Sequence, residues 1–154
     1  MIADLMQELA DAVTGYQTIH HAWTLDEIDR LEGDMPMALF IPGALKSDPS
    51  PQLPIRQRVT EQVIVITICK WEQLSELRRD LYGVMLGYQH TEGHTPIEHL
   101  NGETSRIAGD IVYWMDAFAT QYWMSRVVQP NAFRLQTGGY LLIGGESLPL
   151  PNNP

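Results

Sequence analysis

The segment from Arg56 to Lys70 constrains the fold of this chain more than any other part of the sequence. β-branched residues occupy both strand faces of its second half, from Val63 to Cys69. Such residues favour strands, and a strand that is apolar on both faces is usually covered on both sides. The apolar run is far shorter than the roughly 20 residues that a membrane-spanning helix needs. The sequence therefore predicts a long strand in the core of a folded domain.

Two stretches have the apolar spacing of an amphipathic helix. In the first, from Ile2 to Val13, apolar residues recur three and four positions apart, and Gly15 follows as a suitable stop. In the second, from Trp71 to Tyr88, an apolar stripe runs beside charged residues on the other faces. The sequence therefore predicts one helix at the N-terminus and another directly after the long strand.

Shorter strand patterns surround these helices. Residues around His20 alternate in a way that allows a short strand. An apolar run from Met37 to Ile41 predicts a second strand, which Pro42 and Gly43 are expected to end. The strands predicted after the second helix are Ile97 to Glu103 and Asp110 to Met124.

The order of these elements predicts an α+β fold. A mixed, mostly antiparallel β-sheet with two main helices packed on one face would bury all the apolar stripes. We expect residues 1–126 to form this single domain and residues 127–154 to form an irregular C-terminal extension, with a short strand from Tyr140 to Ile143.

A proline-rich segment precedes the long strand. It runs from Leu45 to Pro54 and has further prolines at positions 49 and 51. Proline has no backbone N–H to donate to a sheet, so the pattern predicts an exposed, semi-extended loop.

The charge balance excludes one class of function. Ten Lys and Arg residues face nineteen Asp and Glu residues, which gives the 154-residue chain a formal net charge of −9. Proteins that bind nucleic acid tightly need a basic surface that displaces counterions from phosphates. Tight nucleic-acid binding is therefore not expected. The N-terminus also lacks the pattern of a secretory signal, so we expect the protein in the cytoplasm of the cell that makes it.

Three histidines offer the best case for a metal site. His90 and His94 have the i, i+4 spacing of a helical zinc pair, and His99 follows. However, Gly93 and Pro96 are incompatible with a stable helix at this place. The sequence therefore favours histidines in a solvent-exposed loop over metal ligands.

Other catalytic patterns are also missing from the sequence. Cys69, the single cysteine, lies in an apolar run and is expected to be a packed core thiol. The glycine pairs at 138–139 and 144–145 lack the lysine of a phosphate-binding loop. No carboxylate is enclosed by apolar residues in a way that predicts a shifted pKa, so the acids are expected on solvated faces. We expect no catalytic residue, cofactor or bound metal, and hence no enzyme.

Aromatic residues are concentrated in the last long strand. The chain has four Trp, six Tyr and three Phe residues, and the strand contains Trp114, Tyr122 and Trp123. This density suits either a well-filled core or a subunit interface, where Trp and Tyr are enriched. The candidate interface residues are Leu45, Pro49, Pro51, Leu53, Pro54, Arg56, Arg58, Trp114, Tyr122, Trp123 and Arg126.

The order and local character of these segments resemble a known family. The segments that carry the resemblance are Met37 to Pro42, Glu76 to Leu81, Thr95 to Glu103, Gly109 to Phe118 and Thr120 to Trp123. Between Ile2 and about Arg126 the chain is similar to bacteriophage tail terminator proteins, in particular those of Mu-like phages with contractile tails.

The resemblance implies a structural role in the virion. Such proteins form a ring of six on the last ring of the tail tube, end polymerisation of tube and sheath, and offer a surface to the head-side connector. The expected partners are therefore other copies of the chain, the tail tube protein, the sheath and the connector. An acidic chain would also let DNA pass through a pore without sticking.

Three alternatives remain open at this point. A head–tail connector or head-completion protein of the neck would share the ring and differ only in its partner. A small metal-binding domain or enzyme would use the loop with His90, His94 and His99. A monomeric binding or regulatory module would show no self-association.

Overall fold

A computed structural model describes residues 2–22, 28, 30–48, 56–125, 135–136, 140–143 and 146–149. Two helices, α1 (Ile2–Ala12) and α2 (Leu74–Met85), accompany five strands in the N-terminal part. These strands are β1 (Thr18–His21), β2 (Met37–Asp48), β3 (Arg56–Lys70), β4 (Glu98–Ala108) and β5 (Ile111–Ser125). A 3-10 turn, Trp71–Gln73, joins β3 to α2. Three short strands follow, namely β6 (Leu135–Gln136), β7 (Tyr140–Ile143) and β8 (Glu146–Pro149).

The first five strands form one mixed sheet in the order β1-β2-β3-β5-β4. β1 is parallel to β2, and all the other neighbours are antiparallel. β3 and β5 pair along their whole length, from Arg56 opposite Ser125 to Lys70 opposite Ile111. The predicted α+β fold with a mixed, mostly antiparallel sheet is confirmed, and the predicted bounds of β3 are those observed.

Both helices pack on the same face of this sheet, as predicted. The core between them and the sheet includes Leu5, Leu9, Phe40, Val63, Val65, Leu81, Met85 and Phe118. Fully burying one such side chain contributes about 1.5–3 kcal/mol relative to leaving it in water. The amphipathic stripes of the two helices therefore supply one wall of the core, and alternate residues of the strands supply the other.

The opposite face of the sheet is covered at one end. Leu39, Ile66 and Ile68 are buried there beneath Ala22, Ile28 and Leu31. This second layer explains why the second half of β3 is apolar on both faces. On the neighbouring strand β5, the cross-strand partners of Ile68 and Ile66, Tyr113 and Met115, share this face but are only half-buried.

A glycine follows the end of each helix. Gly15 has a φ of 94° just after α1, and Gly87 has a φ of 79° just after α2. Glycine adopts this left-handed conformation without the steric penalty of a Cβ atom. Gly15 therefore fulfils its predicted role. The second helix is shorter at both ends than the prediction from Trp71 to Tyr88, because a 3-10 turn begins it and Gly87 ends it.

One prediction about β2 is wrong. Pro42 and Gly43 do not end the strand but lie at an irregularity in its register, after which pairing with β3 resumes at Leu45 and continues to Asp48. Proline is tolerated at bulges, and β1 pairs with β2 only as far as Phe40. Gly43 is required because a Cβ atom there would lie 2.6 Å from the Cβ atom of Gln62.

The predicted loop from Leu45 to Pro54 is consequently wrong in its first part. Residues 45–48 are strand, and residues 49–55 lie outside the described part of the chain. β4 and β5 also extend beyond their predicted ends, to Ala108 and Ser125.

A small separate sheet lies near the C-terminus. β6, β7 and β8 form three antiparallel strands in chain order. The strand predicted from Tyr140 to Ile143 is confirmed as β7. The boundary between a domain of residues 1–126 and an extension of residues 127–154 stays a prediction.

Candidate functional site

The three central strands extend at one end of the sheet into a region that we call the arm. It consists of residues 45–48 of β2, 56–60 of β3 and 121–125 of β5, and the register of β3 with both neighbours continues through it. Along β2 the residues change from buried at Met37–Ile41 to exposed from position 44 onward. The arm therefore consists of three paired strands, and its two outer strands, β2 and β5, carry exposed side chains.

Three large apolar side chains are exposed on the arm. Leu45 is 63% exposed, Trp123 64% and Met124 50%. Single exposed apolar residues are normal, but several within one region are typical of an interaction surface. Strand alternation places Leu45 and Met124 on one face and Trp123 on the other.

Arg58 lies directly opposite Trp123 in the pairing of β3 with β5. Its guanidinium group also forms an ion pair with Asp48 at 3.1 Å. Both partners are at least half exposed, so water screens the pair and it contributes little to stability. Arg58 is therefore free to exchange this partner when another surface approaches.

A cleft of about 250 Å³ lies between the arm and the loop after α2. Its walls include Arg58, Glu92, His94, Tyr122 and Trp123. The loop joins the edge of β5 here, since the amide of Thr95 donates to the carbonyl oxygen of Gln121 at 2.7 Å. The edge of β5 is thus covered up to the point where the exposed Trp123 begins.

His94 anchors this loop against the base of the arm. It is only 8% exposed, its ring lies 4.8 Å from that of Tyr122, and its Nδ1 atom lies 2.6 Å from the Thr91 hydroxyl. The Tyr122 hydroxyl in turn donates to the buried carboxylate of Glu61 at 3.3 Å. Burial lowers the pKa of His94, and the neighbouring His90 lowers it further.

His90 links the same loop to α1. Its Nδ1 atom lies 3.0 Å from the Glu8 carboxylate, which also accepts a hydrogen bond from the Tyr88 hydroxyl. These two hydrogen bonds lower the pKa of Glu8. The prediction of exposed loop histidines is therefore wrong for His94, which is buried, and for His90, whose side chain is 11% exposed. Tertiary packing of the loop on β5 and α1 encloses both.

A second polar cluster lies on the helix-covered face of the sheet. Asp116 is fully buried in β5, and its carboxylate accepts hydrogen bonds from Tyr82 at 2.8 Å and from Arg78 at 3.3 Å. His99 approaches the same oxygen to 3.1 Å. Gly102 leaves the necessary space, because a Cβ atom there would collide with this carboxylate. The prediction that all acids lie on solvated faces is wrong for Asp116 and for the buried Glu61.

Trp114 belongs to this cluster and not to the arm. The guanidinium carbon of Arg78 lies 4.3 Å from the centre of its ring. Trp114 pairs with Thr67, whereas Tyr122 pairs with Val59, so eight residues, or about 26 Å of strand, separate these two candidates. Its half-buried ring ties α2 to the sheet.

The sequence-derived interface candidates therefore divide into four groups. Leu45, Arg58, Tyr122 and Trp123 lie on the arm, the first and third on one face and the other two on the opposite face, and Trp114 lies apart from them. Arg56 is the first residue of β3, but its side chain lies outside the described part of the structure. The candidates that lie outside the described residues are Pro49, Pro51, Leu53, Pro54 and Arg126. The interface role of all the candidate residues stays a prediction.

Sequence reasoning missed Asp116 and Met124. Asp116 lies among apolar and aromatic residues of a long strand. An acid in such a position is a signal of a buried polar contact. Met124 gave no such signal, because its exposure depends on how far β5 extends past the core.

The polar clusters do not amount to a metal site in the part of the chain that the structure describes. No group of three or more His, Cys, Asp or Glu side chains there could hold a metal ion. Burial also raises the pKa of the Cys69 thiol to about 11. Its packed, protonated state agrees with the expected core thiol.

Comparison with protein families identifies the chain. The family model of the phage tail terminator protein matches residues 2–130. The chain belongs to the phage tail terminator family. A comparison with curated proteins finds no significant match.

Membership in the tail terminator family confirms the coarse function that the resemblance implied. The family is structural rather than catalytic, and its members are virion components that complete the tail and contact other tail or head components. None of the helices that the structure describes is long and apolar enough to cross a bilayer. The arm, where Leu45, Trp123 and Met124 are each at least half exposed, is the candidate interaction surface of this tail terminator.

Proposed function

We propose that this tail terminator forms a six-membered ring on the last ring of the tail tube. There it stops polymerisation of the tube and presents a joining surface to the head-side connector, without any catalytic role. The observation that carries the proposal is the arm, a fully paired extension of three strands on which Leu45, Trp123 and Met124 are exposed. Exposure of these three apolar side chains to water is unfavourable, and contacts between the subunits of a ring would bury them.

The sheet offers one of the two surfaces that ring formation requires. Closed rings are built from a heterologous contact, in which one surface of a subunit meets a different surface of the next. The arm offers the first of these surfaces. The part of the segment from Leu45 to Pro54 that lies beyond the arm, and residues 127–154, are further candidates for contacts with the tube or the connector. A contractile tail would add the sheath as a partner.

The charge of the chain agrees with a position around DNA. The net charge of −9 disfavours contact with phosphates, so a genome can pass through the ring without being held. We place the mature protein in the neck of the virion, after assembly in the cytoplasm of the bacterial host.

The mass of the purified protein tests this proposal. We expect size-exclusion chromatography with light scattering to give the mass of a ring, either alone or after mixing with tail tube protein. Electron microscopy of tubes grown with the protein should show capped tubes that no longer elongate. A monomer that leaves tube growth unchanged but binds a head-side connector would instead indicate a different neck protein.

A further inference from the structure

An apolar cleft lies at the end of the sheet opposite the arm. It is lined by Trp71, Ile107, Gly109, Asp110, Ile111 and Val112, has a volume of about 170 Å³, and is called the Trp71 cleft below. Its two flanking side chains are unusually exposed for their size, with Trp71 at 59% and Ile107 at 62%. The amide of Trp71 donates to the carbonyl oxygen of Asp110 at 3.1 Å, which fixes one wall to the turn between β4 and β5.

The Trp71 cleft and the arm lie too far apart to meet within one chain. Arg58 faces Trp123 near the start of β3, whereas Lys70 faces Ile111 at its end. Twelve residues of strand between Arg58 and Lys70 correspond to about 40 Å. The described chain thus carries exposed apolar residues at two opposite ends of one sheet.

We propose that the Trp71 cleft receives the arm of a second copy of this chain, with Trp123 as the main inserted side chain. This inference rests on the proposed ring and names the two surfaces that would form it. A contact between opposite ends of neighbouring copies is heterologous, and its repetition can close a ring. An exposed Trp and an apolar cleft are also the usual parts of an interface hot spot.

The charges beside the two surfaces favour the same pairing. Arg58 lies beside Trp123 on the arm, and its existing pair with Asp48 is exposed and easily exchanged. Asp110 lines the Trp71 cleft, and an adjoining depression is lined by Lys70, Trp71, Glu72 and Asp110, so two carboxylates there outnumber one ammonium group. A cation on the arm therefore approaches carboxylates at the cleft when Trp123 enters it.

Two single substitutions separate this contact from a contact between like surfaces. Trp123→Glu alters only the arm, and Ile107→Glu alters only the Trp71 cleft. Both positions are more than 60% exposed, so both variants are expected to fold. Leu100→Glu, at a position in β4 that is 49% exposed and lies outside both surfaces, is the matched control.

We expect light scattering to show that each variant loses the ring, with self-association weakened by roughly 30-fold or more. The Leu100→Glu control should keep the ring. An equimolar mixture of the two variants should form dimers and nothing larger. Each dimer uses the intact arm of Ile107→Glu and the intact cleft of Trp123→Glu, and neither partner can extend it further.

Other results would overturn the inference. If either variant forms rings as strongly as the wild type, or if the mixture stays monomeric, this contact does not exist. A ring formed by the wild-type protein would still support the proposed function in that case. A wild-type protein that remains monomeric, both alone and on tube ends, would overturn the ring and the contact together.

Discussion

At the scale of single residues, Asp116 is the most completely buried charged side chain in the described part of the chain. A buried carboxylate is tolerated only when paired and hydrogen-bonded, and here Arg78 and Tyr82 satisfy it from α2 while His99 approaches it from β4. The cluster thereby joins the helix to two strands. In a structural component of the phage tail, such a contact fixes the helix on the sheet.

Replacing Asp116 should therefore destabilise the protein strongly. We expect Asp116→Ala to lower the free energy of unfolding by about 3 kcal/mol, because it leaves Arg78 partly buried without its partner. Urea denaturation measures this difference. Glu103→Ala, which removes an exposed acid of β4, is the control and should change stability by less than about 0.5 kcal/mol. Equal effects of the two substitutions would contradict the structural role of Asp116.

A second prediction at this scale concerns pH. The unfolded chain binds a proton at His94 near pH 6.5, but burial lowers the pKa in the folded chain, so the unfolded state binds more protons just below this pH. Stability should thus be full above about pH 6.5 and decrease as the pH falls below it. The nearby charged groups are His90, Glu8 and Glu61; the lowered pKa of Glu8 removes stability only below its ordinary value of 4.5.

Urea denaturation at pH 7.5 and pH 5.5 tests this prediction. The wild-type protein should lose stability between the two, and His94→Gln should lose less because it has no titrating group at this place. His21→Gln, at an exposed position of β1, serves as the control and should behave like the wild type. An identical pH dependence in all three proteins would exclude His94 as the cause.

At the scale of elements, the irregularity in β2 determines whether the arm exists. Strand β2 passes Pro42 and resumes pairing at Leu45 only because Gly43 allows close approach to Gln62. The sequence pattern of proline and glycine indicated a break, since it is the same pattern that ends strands elsewhere. Pairing with β3 outweighs that local signal.

Gly43→Ala should accordingly destabilise the arm. Its Cβ atom would lie 2.6 Å from that of Gln62, so the strands must shift, and we expect a loss of about 1–3 kcal/mol. Hydrogen exchange should also become faster at the amides of residues 45–48. Gly83→Ala in α2 is a matched control with open space around its new methyl group, and it should leave stability equal or higher. Slow exchange in the Gly43→Ala arm would show that the strand tolerates the methyl group.

At the scale of the whole molecule, shape and charge act together. The sheet has exposed apolar residues at both ends, and its acidic composition keeps single chains apart in solution until specific surfaces meet. The proposed ring around DNA would need both properties. Its assembly would then depend on a few apolar contacts rather than on attraction to nucleic acid.

Absence of DNA binding is the prediction that belongs to this scale. With a net charge of −9, the protein should show no binding to duplex DNA even at low salt, where electrostatic attraction is strongest. Fluorescence anisotropy of a labelled duplex measures this directly, with a basic DNA-binding protein as the positive control. Micromolar affinity at low salt would contradict an inert pore.

The sequence by itself determined the two helices, the full length of β3 and the α+β class. These features follow from local periodicity and composition, as in the stripe of α1 and the β-branched run of β3. It also indicated the family and four residues that lie on the arm. Only the tertiary structure decided the continuation of β2 to Asp48, the enclosure of His94 and the partners of the buried Asp116. Each of these depends on contacts between segments distant in sequence, and local patterns do not identify the partners in such contacts.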